Sequence, residues 1–142
     1  MNFVLDCSVT MTWLFEHDAT DETDELLGKL AGPEKALVAQ HWVLEVANVL
    51  LSVERFKKKT PAETALFLNL LSKLAIESDV QTEQHATTTT LALGRKHQLS
   101  SYDAAYLELA MRLGLPLATL DKQLRKAAQA EGVAVLPTKI PR

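Results

Sequence analysis

The sequence predicts an α/β fold in which helices cover both faces of a short central parallel sheet, a three-layer α/β/α arrangement. Short apolar segments alternate with longer helical segments, the order typical of strand–helix–strand units. These short segments are apolar at consecutive positions, as expected of strands buried on both faces. The 142 residues are 47% hydrophobic and 23% charged. That length and composition fit one globular domain covering residues 1–142.

Four segments are predicted as strands and six as helices. The strands are residues 2–5, 36–39, 117–120 and 133–136. The helices are residues 20–31, 41–56, 61–76, 82–97, 101–113 and 122–131, so that an extra helical stretch separates the second strand from the third. Thr60, Pro61 and Glu63 form a capping-box pattern at one helix start. Gly114 and Pro116 end the helix 101–113 in the usual way.

Charge and composition exclude several classes of protein. There are 15 Lys and Arg against 18 Asp and Glu, so the formal net charge is −3, unlike that of a strongly basic nucleic-acid module. The single cysteine, Cys7, excludes a disulfide framework and a cysteine-rich zinc site. The sequence contains neither a membrane span nor a signal peptide. We therefore expect a cytoplasmic protein that makes no membrane contact.

Two acidic residues follow predicted strands. Asp6 comes after the first strand and Asp121 after the third. Ligands of parallel sheets bind outside the carboxyl ends of the strands, so both carboxylates are candidate site residues. For Asp6, a role as a turn residue or helix N-cap is an equally good interpretation, and Ser8 could take the same part.

Glu45 lies on a narrow polar line of the helix 41–56. At 100° per residue, His41, Asn48 and Ser52 fall on the same side as Glu45, and nearly all the other residues from 42 to 53 are apolar. This pattern predicts a mostly buried helix whose polar line faces a cleft, and His41 could help to bind a substrate there. The alternative is that the line is simply the solvent-exposed strip of the helix.

Asp103 lies on the apolar face of the helix 101–113. Tyr106 and Leu107 are its neighbours on that face. A charged group in such surroundings is costly unless it is paired or binds a metal ion. The alternative is a capping role in the first helical turn, which Ser100 or Ser101 could also fill.

Taken together, the four acids predict a metal site at one edge of the sheet. They are Asp6, Glu45, Asp103 and Asp121. Carboxylate oxygens are the ligands that suit Mg²⁺ or Mn²⁺. Such ions lower the pKa of a bound water and neutralise phosphate oxygens, which is the chemistry of metal-assisted phosphodiester hydrolysis.

The motifs that carry these acids resemble those of PIN-domain ribonucleases, specifically the VapC-type toxins of type II toxin–antitoxin pairs. Asp6-Cys7-Ser8 resembles the family's opening Asp-x-Ser, Glu45-Val46-Ala47-Asn48 its Glu-x-x-Asn helix, residues 101–106 its third motif, and Thr119-Leu120-Asp121 its Thr-x-Asp. The order and the spacing agree over nearly the whole chain.

This resemblance implies a PIN-like fold and a Mg²⁺- or Mn²⁺-dependent endoribonuclease. Its acidic site would consist of Asp6, Glu45, Asp103 and Asp121, with Ser8, Asn48 and Thr119 as hydrogen-bonding residues behind them. It also implies an RNA substrate, a homodimer and a small antitoxin whose tail occupies the active-site groove. Lys122 and Gln123 stand where some members carry a further acid, which leaves one or two metal ions as alternatives.

Two other functions remain as alternatives. One is a non-catalytic PIN-like module that binds RNA or protein and in which the acids are structural. The other is a metal-dependent phosphatase for phosphomonoesters, although the Asp-x-Ser start lacks the second Asp typical of haloacid-dehalogenase-like enzymes.

Basic and apolar clusters mark candidate contact surfaces. Residues 55–59, 95–96 and 122–126 could follow an RNA backbone or be solvated charged faces, with Lys122 and Arg125 favoured because they flank Asp121. The apolar face of the helix 61–76 could pack in the core or against a dimer mate or an antitoxin helix.

Overall fold

A computed structural model describes residues 1–140 and contains one five-stranded parallel sheet flanked by helices, as the sequence predicts. The strands are β1 (Phe3–Leu5), β2 (Ala36–Val38), β3 (Ile76–Ser78), β4 (Leu117–Ala118) and β5 (Val135–Leu136), in the spatial order β3-β2-β1-β4-β5. Val4 of the central strand pairs with Leu37 on one side and with Leu117 on the other. Strand β1 is completely buried, so the sheet is centred on the strand that precedes Asp6.

Within residues 1–140, eight α-helices connect and cover the strands. They are α1 (Cys7–Thr10), α2 (Asp21–Leu30), α3 (Trp42–Arg55), α4 (Pro61–Ser72), α5 (Thr82–His85), α6 (Leu91–His97), α7 (Ser101–Leu113) and α8 (Lys122–Ala130). Short 3-10 turns at Met11–Trp13 and Glu16–Asp18 follow α1, and a π-helical turn at Ala86–Thr90 joins α5 to α6. Within residues 1–140 no helix has both the length and the apolar character needed to cross a bilayer.

The prediction of a single helix over residues 61–76 was wrong at its carboxyl end. Helix α4 ends at Ser72, and Ile76–Ser78 form strand β3, which pairs with β2. Ile76 is partly buried, whereas Glu77 and Ser78 are exposed. An edge strand with little burial lacks the continuous apolar run by which the other strands were found, so its sequence gave no strand signal.

Helix α3 is less buried than its sequence predicts. Its buried residues are Trp42, Val46, Leu50 and Val53. Leu44 is 72% exposed and Leu51 is 58% exposed. Apolar residues at the spacing i, i+4 pack inward. The apolar residues on the rest of the helix have no neighbouring element to pack against. The prediction of a mostly buried helix was therefore wrong.

An ion-pair network joins α7 to the end of β3. The Arg112 guanidinium donates to both oxygens of Glu108 at 2.8 and 3.0 Å and to both oxygens of Asp79 at 3.2 and 2.7 Å. The side chains of Glu108 and Asp79 are only 4% and 9% exposed. Hydrogen bonds from Arg112 hold the pKa of Asp79 below its usual range against the opposing effect of burial, and the same bonds raise the pKa of Arg112.

We expect Arg112→Ala to lower the free energy of unfolding by about 3 kcal/mol, because it leaves two nearly buried carboxylates without their cation. Urea denaturation at pH 7 measures the change. Arg55→Ala, which removes an exposed guanidinium, is the matched control and should change stability by less than about 0.5 kcal/mol. Equal effects of the two substitutions would show that the network contributes nothing.

Candidate active site

A cavity of about 320 Å³ lies at the carboxyl ends of β1 and β4, and the four predicted acids all line it. Its lining is Asp6, Cys7, Ser8, Met11, Glu45, Asn48, Val49, Asp103 and Asp121. Adjacent parallel strands end at the same edge of a sheet, which brings Asp6 and Asp121 together. Helices α3 and α7 add one acid each. The fold therefore places side chains that are 115 residues apart in sequence around one space.

Asp6 is held by hydroxyl groups and does not cap the helix that follows it. The residue is 5% exposed, and its side chain makes no capping hydrogen bond to α1. Its Oδ2 accepts hydrogen bonds from Ser8 Oγ at 2.8 Å and from Thr119 Oγ1 at 2.6 Å. Burial raises the pKa of Asp6, and these two hydrogen bonds partly oppose that effect.

The same two hydroxyls fasten the end of β1 to the end of β4. Ser8 Oγ accepts a hydrogen bond from the Leu120 amide at 2.9 Å, and Thr119 Oγ1 accepts one from the Asp121 amide at 3.1 Å. Ser8 and Thr119 therefore both contact Asp6 and the backbone after β4. Each hydroxyl donates to Asp6 and accepts from the backbone, which orients both groups.

Asp121 has a structural contact as well as a place in the cavity. Its side chain is the N-cap of α8, because Oδ1 accepts a hydrogen bond from the Leu124 amide at 2.8 Å. The residue is exposed. Capping fixes the position of the carboxylate at the mouth of the cavity while leaving it open to solvent.

Glu45 is oriented by two aromatic side chains. The buried Tyr106 hydroxyl donates to Glu45 Oε1 at 2.5 Å. The His41 Nε2 atom lies 3.6 Å from the same oxygen, and its ring packs edge-on against Tyr106. Burial lowers the pKa of His41, so the pair is not an ion pair at neutral pH. Burial also raises the pKa of Glu45, and the Tyr106 hydrogen bond partly offsets this.

Asp103 faces the cavity and does not cap its own helix. The cap of α7 is Ser100, whose Oγ accepts a hydrogen bond from the Asp103 amide at 3.1 Å. Burial, followed by the charges of Asp6, Asp121 and Glu45 in that order, raises the pKa of Asp103 to about 6. The carboxylates are thus close enough to repel one another.

Comparison with protein families identifies this arrangement. The PIN-domain family model matches residues 3–130. The chain belongs to the PIN-domain family. Its fold is also found in solved structures at 15–20% sequence identity, and no curated protein matches its sequence.

Three solved structures illustrate the likeness of this PIN domain in fold. PAE2754 from Pyrobaculum aerophilum has a TM-score of 0.69 at 20% identity, over 97% of this chain and 94% of that one. VapBC2 from Rickettsia felis, bound to a DNA fragment from its promoter, has a TM-score of 0.64 at 15% identity, over 95% and 97%. FitAcB from Neisseria gonorrhoeae has a TM-score of 0.58 at 18% identity, over 97% and 98%.

The donor set of this PIN domain fits a hard divalent cation. Four carboxylates line one cavity, and no Lys or Arg within residues 1–140 forms an ion pair with any of them. A cation would relieve the repulsion that raises the Asp103 pKa. In the part of the chain that the structure describes, no three His, Cys, Asp or Glu side chains are already grouped closely enough to hold a metal ion. The acids therefore match Mg²⁺ or Mn²⁺ in chemistry, and they would have to draw together around the ion.

Sequence reasoning assigned two side chains differently from the structure. The sequence places Tyr106 beside Asp103 on one helix face but does not predict its hydrogen bond to Glu45, which lies on another helix. Arg125 was favoured for RNA contact, but it is 6% exposed and donates to the backbone oxygens of Thr119 at 2.9 Å and Pro137 at 2.7 Å. Its role is to hold α8 and the end of β5 together, so the RNA assignment was wrong. Leu124 and Ala128, its neighbours on the same face of α8, are buried with it.

Cys7 lines the cavity but is not a nucleophile. Burial, followed by the charges of Asp6 and Glu45, raises the pKa of its thiol to about 12. The thiolate is the reactive form of cysteine, and at this pKa it is scarcely populated at neutral pH.

We expect Asp103→Asn to stabilise the metal-free protein above pH 6 and to have less effect below pH 4. The pKa of Asp103 is about 6 in the folded state and 3.8 in the unfolded reference. An acid with a raised folded pKa destabilises the fold once both states are ionised, and this penalty disappears as the pH falls below the unfolded value. The gain at pH 7 should be about 1–2 kcal/mol.

Urea denaturation of both proteins in EDTA, at several pH values from 4 to 8, measures this difference. Asp24→Asn, an exposed acid on α2, is the matched control and should show no such trend. A constant difference between Asp103→Asn and wild type across the pH range would contradict the electrostatic origin.

We expect Tyr106→Phe to weaken Mn²⁺ binding about 10- to 100-fold, because outer hydrogen-bonding partners orient metal ligands. The substitution removes only the hydroxyl that donates to Glu45 and retains the buried ring. Isothermal titration calorimetry measures the affinity. Tyr102→Phe, which removes an exposed hydroxyl on the same helix, is the control. Unchanged Mn²⁺ affinity of Tyr106→Phe would show that Glu45 needs no such support.

Proposed function

We propose that this PIN domain is a Mg²⁺- or Mn²⁺-dependent endoribonuclease that acts as the toxin of a toxin–antitoxin pair. The observation that carries the proposal is the cavity that four carboxylates line without a Lys or Arg partner among residues 1–140. A site of this charge repels phosphate unless a cation is present, which suits metal-assisted hydrolysis of a phosphodiester.

Each side chain has a part in this reaction. Asp6, Glu45, Asp103 and Asp121 would hold the ion, which when bound supplies charge against the phosphate oxygens and lowers the pKa of a water. Ser8 and Thr119 fix Asp6 by the hydrogen bonds described above. Glu45 or Asp103 also orients the attacking water, because both lie on helices that face the cavity from outside the sheet. Asn48, predicted as a hydrogen-bonding residue behind the acids, is exposed on the same lining and would donate to a substrate oxygen.

An apolar groove between α3 and α4 supports the protein partners of the proposal. It has a volume of about 550 Å³ and is lined by residues that include Leu51, Leu68 and Leu71. Leu51 and Leu68 are 58% and 48% exposed. Grooves of this kind receive the apolar face of a helix, as a small antitoxin or a second copy of the chain would present it. We propose both a cognate antitoxin and a homodimer, acting in the cytoplasm.

We expect the purified chain to cleave RNA with Mg²⁺ or Mn²⁺ and to lose this activity in EDTA. Asp6→Asn should reduce cleavage by more than the roughly 10- to 100-fold cost of losing an outer hydrogen-bonding partner. It should melt no lower than wild type in EDTA, since it removes a buried charge without creating a cavity. Gel analysis of single-stranded and structured RNAs measures cleavage, with Asp24→Asn as the control.

The possible results separate the parts of the proposal. Equal cleavage in EDTA would contradict the metal requirement. An active Asp6→Asn variant would contradict the acidic site. Failure to cleave any RNA while still binding it would favour the non-catalytic module.

We expect induction of the chain alone to arrest bacterial growth and co-expression of the small protein encoded beside it to restore growth. Leu51→Glu should still arrest growth but be relieved less, because a charge in the groove opposes an apolar helix. Growth curves measure both effects. Leu66→Glu, a 71% exposed leucine of α4 outside the groove lining, is the matched control. Normal growth with abundant soluble chain would contradict the toxin role.

A further inference from the structure

A second cavity lies along the same two segments of the chain as the acidic cavity. It has a volume of about 640 Å³ and is lined by Phe15, Glu16, His17, Lys58 and Lys59. The acidic cavity has Met11 on one wall and Asn48 of α3 on the other. Phe15 lies one turn beyond Met11, to whose carbonyl its amide donates at 2.9 Å, and Lys58 follows the end of α3. The two cavities thus lie one beyond the other along the same two segments, and we refer to this surface as the groove.

The far end of this groove is basic. Residues 55–59 carry four positive charges and no acid. Lys58 is exposed and forms no ion pair within the described residues, and Lys59 approaches Glu63 only to 3.8 Å. The negative end of the α3 dipole favours cations here. The dipole does not explain why these cations line a cavity on the same two segments of the chain as the acidic cavity. Glu16 is the acid of this lining.

The wall opposite the lysines is aromatic. The rings of Phe15 and His17 have their centroids 5.9 Å apart, and His17 is exposed. Grooves that combine cationic side chains with accessible rings bind single-stranded nucleic acids, because the cations contact phosphates and the bases stack on the rings.

The distance between the two ends matches a short stretch of nucleic acid. Glu45 and Arg55 are ten residues apart on α3, which is about 15 Å at 1.5 Å per residue. A stacked strand rises about 3.4 Å per nucleotide, so this distance holds about four nucleotides. A strand cut at the acidic cavity would reach the lysines without leaving the groove.

The other basic clusters do not line either cavity. Within them, Arg125 is bound to backbone oxygens, and Lys96 pairs with Glu131 at 2.8 Å. Lys122 is exposed and follows Asp121 in the chain. The segment 55–59 is the basic cluster whose side chains line the groove.

We infer that Lys58 and Lys59, with Phe15 and His17 opposite, form a subsite that binds the backbone of single-stranded RNA about four nucleotides from the bond that is cut. The inference rests on the proposed function in that it takes RNA as the substrate. The subsite supplies the phosphate affinity that the acidic cavity and a net charge of −3 do not.

The test is equilibrium binding of a fluorescent single-stranded RNA to full-length Asp6→Asn in Mg²⁺, by anisotropy at 0.05–0.3 M KCl. Adding Lys58→Gln/Lys59→Gln should reduce the salt slope of the association constant by about 1.4, or 0.7 for each lost phosphate contact. If the two proteins bind RNA equally at 1 M salt, this change in slope lowers the association constant about 25-fold at 0.1 M. The control Lys29→Gln/Lys73→Gln carries the same charge change at the amino ends of the strands, since Lys29 precedes β2 and Lys73 precedes β3. It should leave the salt slope unchanged.

A gain of binding provides a test that misfolding cannot imitate. Glu16→Gln removes the acid of the lining and should tighten RNA binding about two- to fivefold. Equal losses for the two lysine pairs, no loss for Lys58→Gln/Lys59→Gln, or no measurable RNA binding by Asp6→Asn would each overturn the inference. RNA cleavage by the wild-type chain is measured separately. RNA binding that depends on the lysines, without RNA cleavage, would support the subsite and contradict the nuclease activity. RNA cleavage that does not depend on the lysines would support the nuclease activity and contradict the subsite.

Discussion

Repulsion among the carboxylates at the carboxyl edge of the sheet is the constraint on which the site depends. Four acids line a cavity of about 320 Å³, and the charges of the other three add to the effect of burial in raising the pKa of Asp103. Such a cluster persists without a cation only if the surrounding fold is rigid. Here the rigidity comes from strand β1, which is completely buried in the centre of the sheet, and from the hydroxyls of Ser8 and Thr119, which tie its end to β4.

The four acids are supported in different ways, which suggests different duties. Asp6 is buried and held by two hydroxyls, whereas Asp121 is exposed and caps α8. Glu45 receives the Tyr106 hydroxyl, and Asp103 has its backbone amide capped by Ser100 and its carboxylate exposed to the field of the other acids.

Helix α3 organises three surfaces at once. Its polar line contributes Glu45 and Asn48 to the acidic cavity, and its far end leads into the basic segment 55–59. Its exposed apolar residues, with those of α4, line the groove that would receive a protein partner. The proposed nuclease site, RNA subsite and partner surface thus share this helix and the segment that follows it, so binding of a partner would affect access to the site directly.

Much of this could be predicted from the sequence. The alternation of short apolar runs and helices is sufficient to predict the parallel sheet. The positions of Asp6 and Asp121 directly after strands predict that both lie at one edge of the sheet. Both predictions follow from local sequence patterns. Strand β3 has no such pattern, since burial of an edge strand depends on its neighbours. The tertiary structure alone decided that Tyr106 binds Glu45, that Arg125 is buried, and that the apolar residues of α3 outside its packed stripe remain exposed. Each of these depends on contacts between elements far apart in the chain, and the period of a single helix carries no information about what lies opposite it.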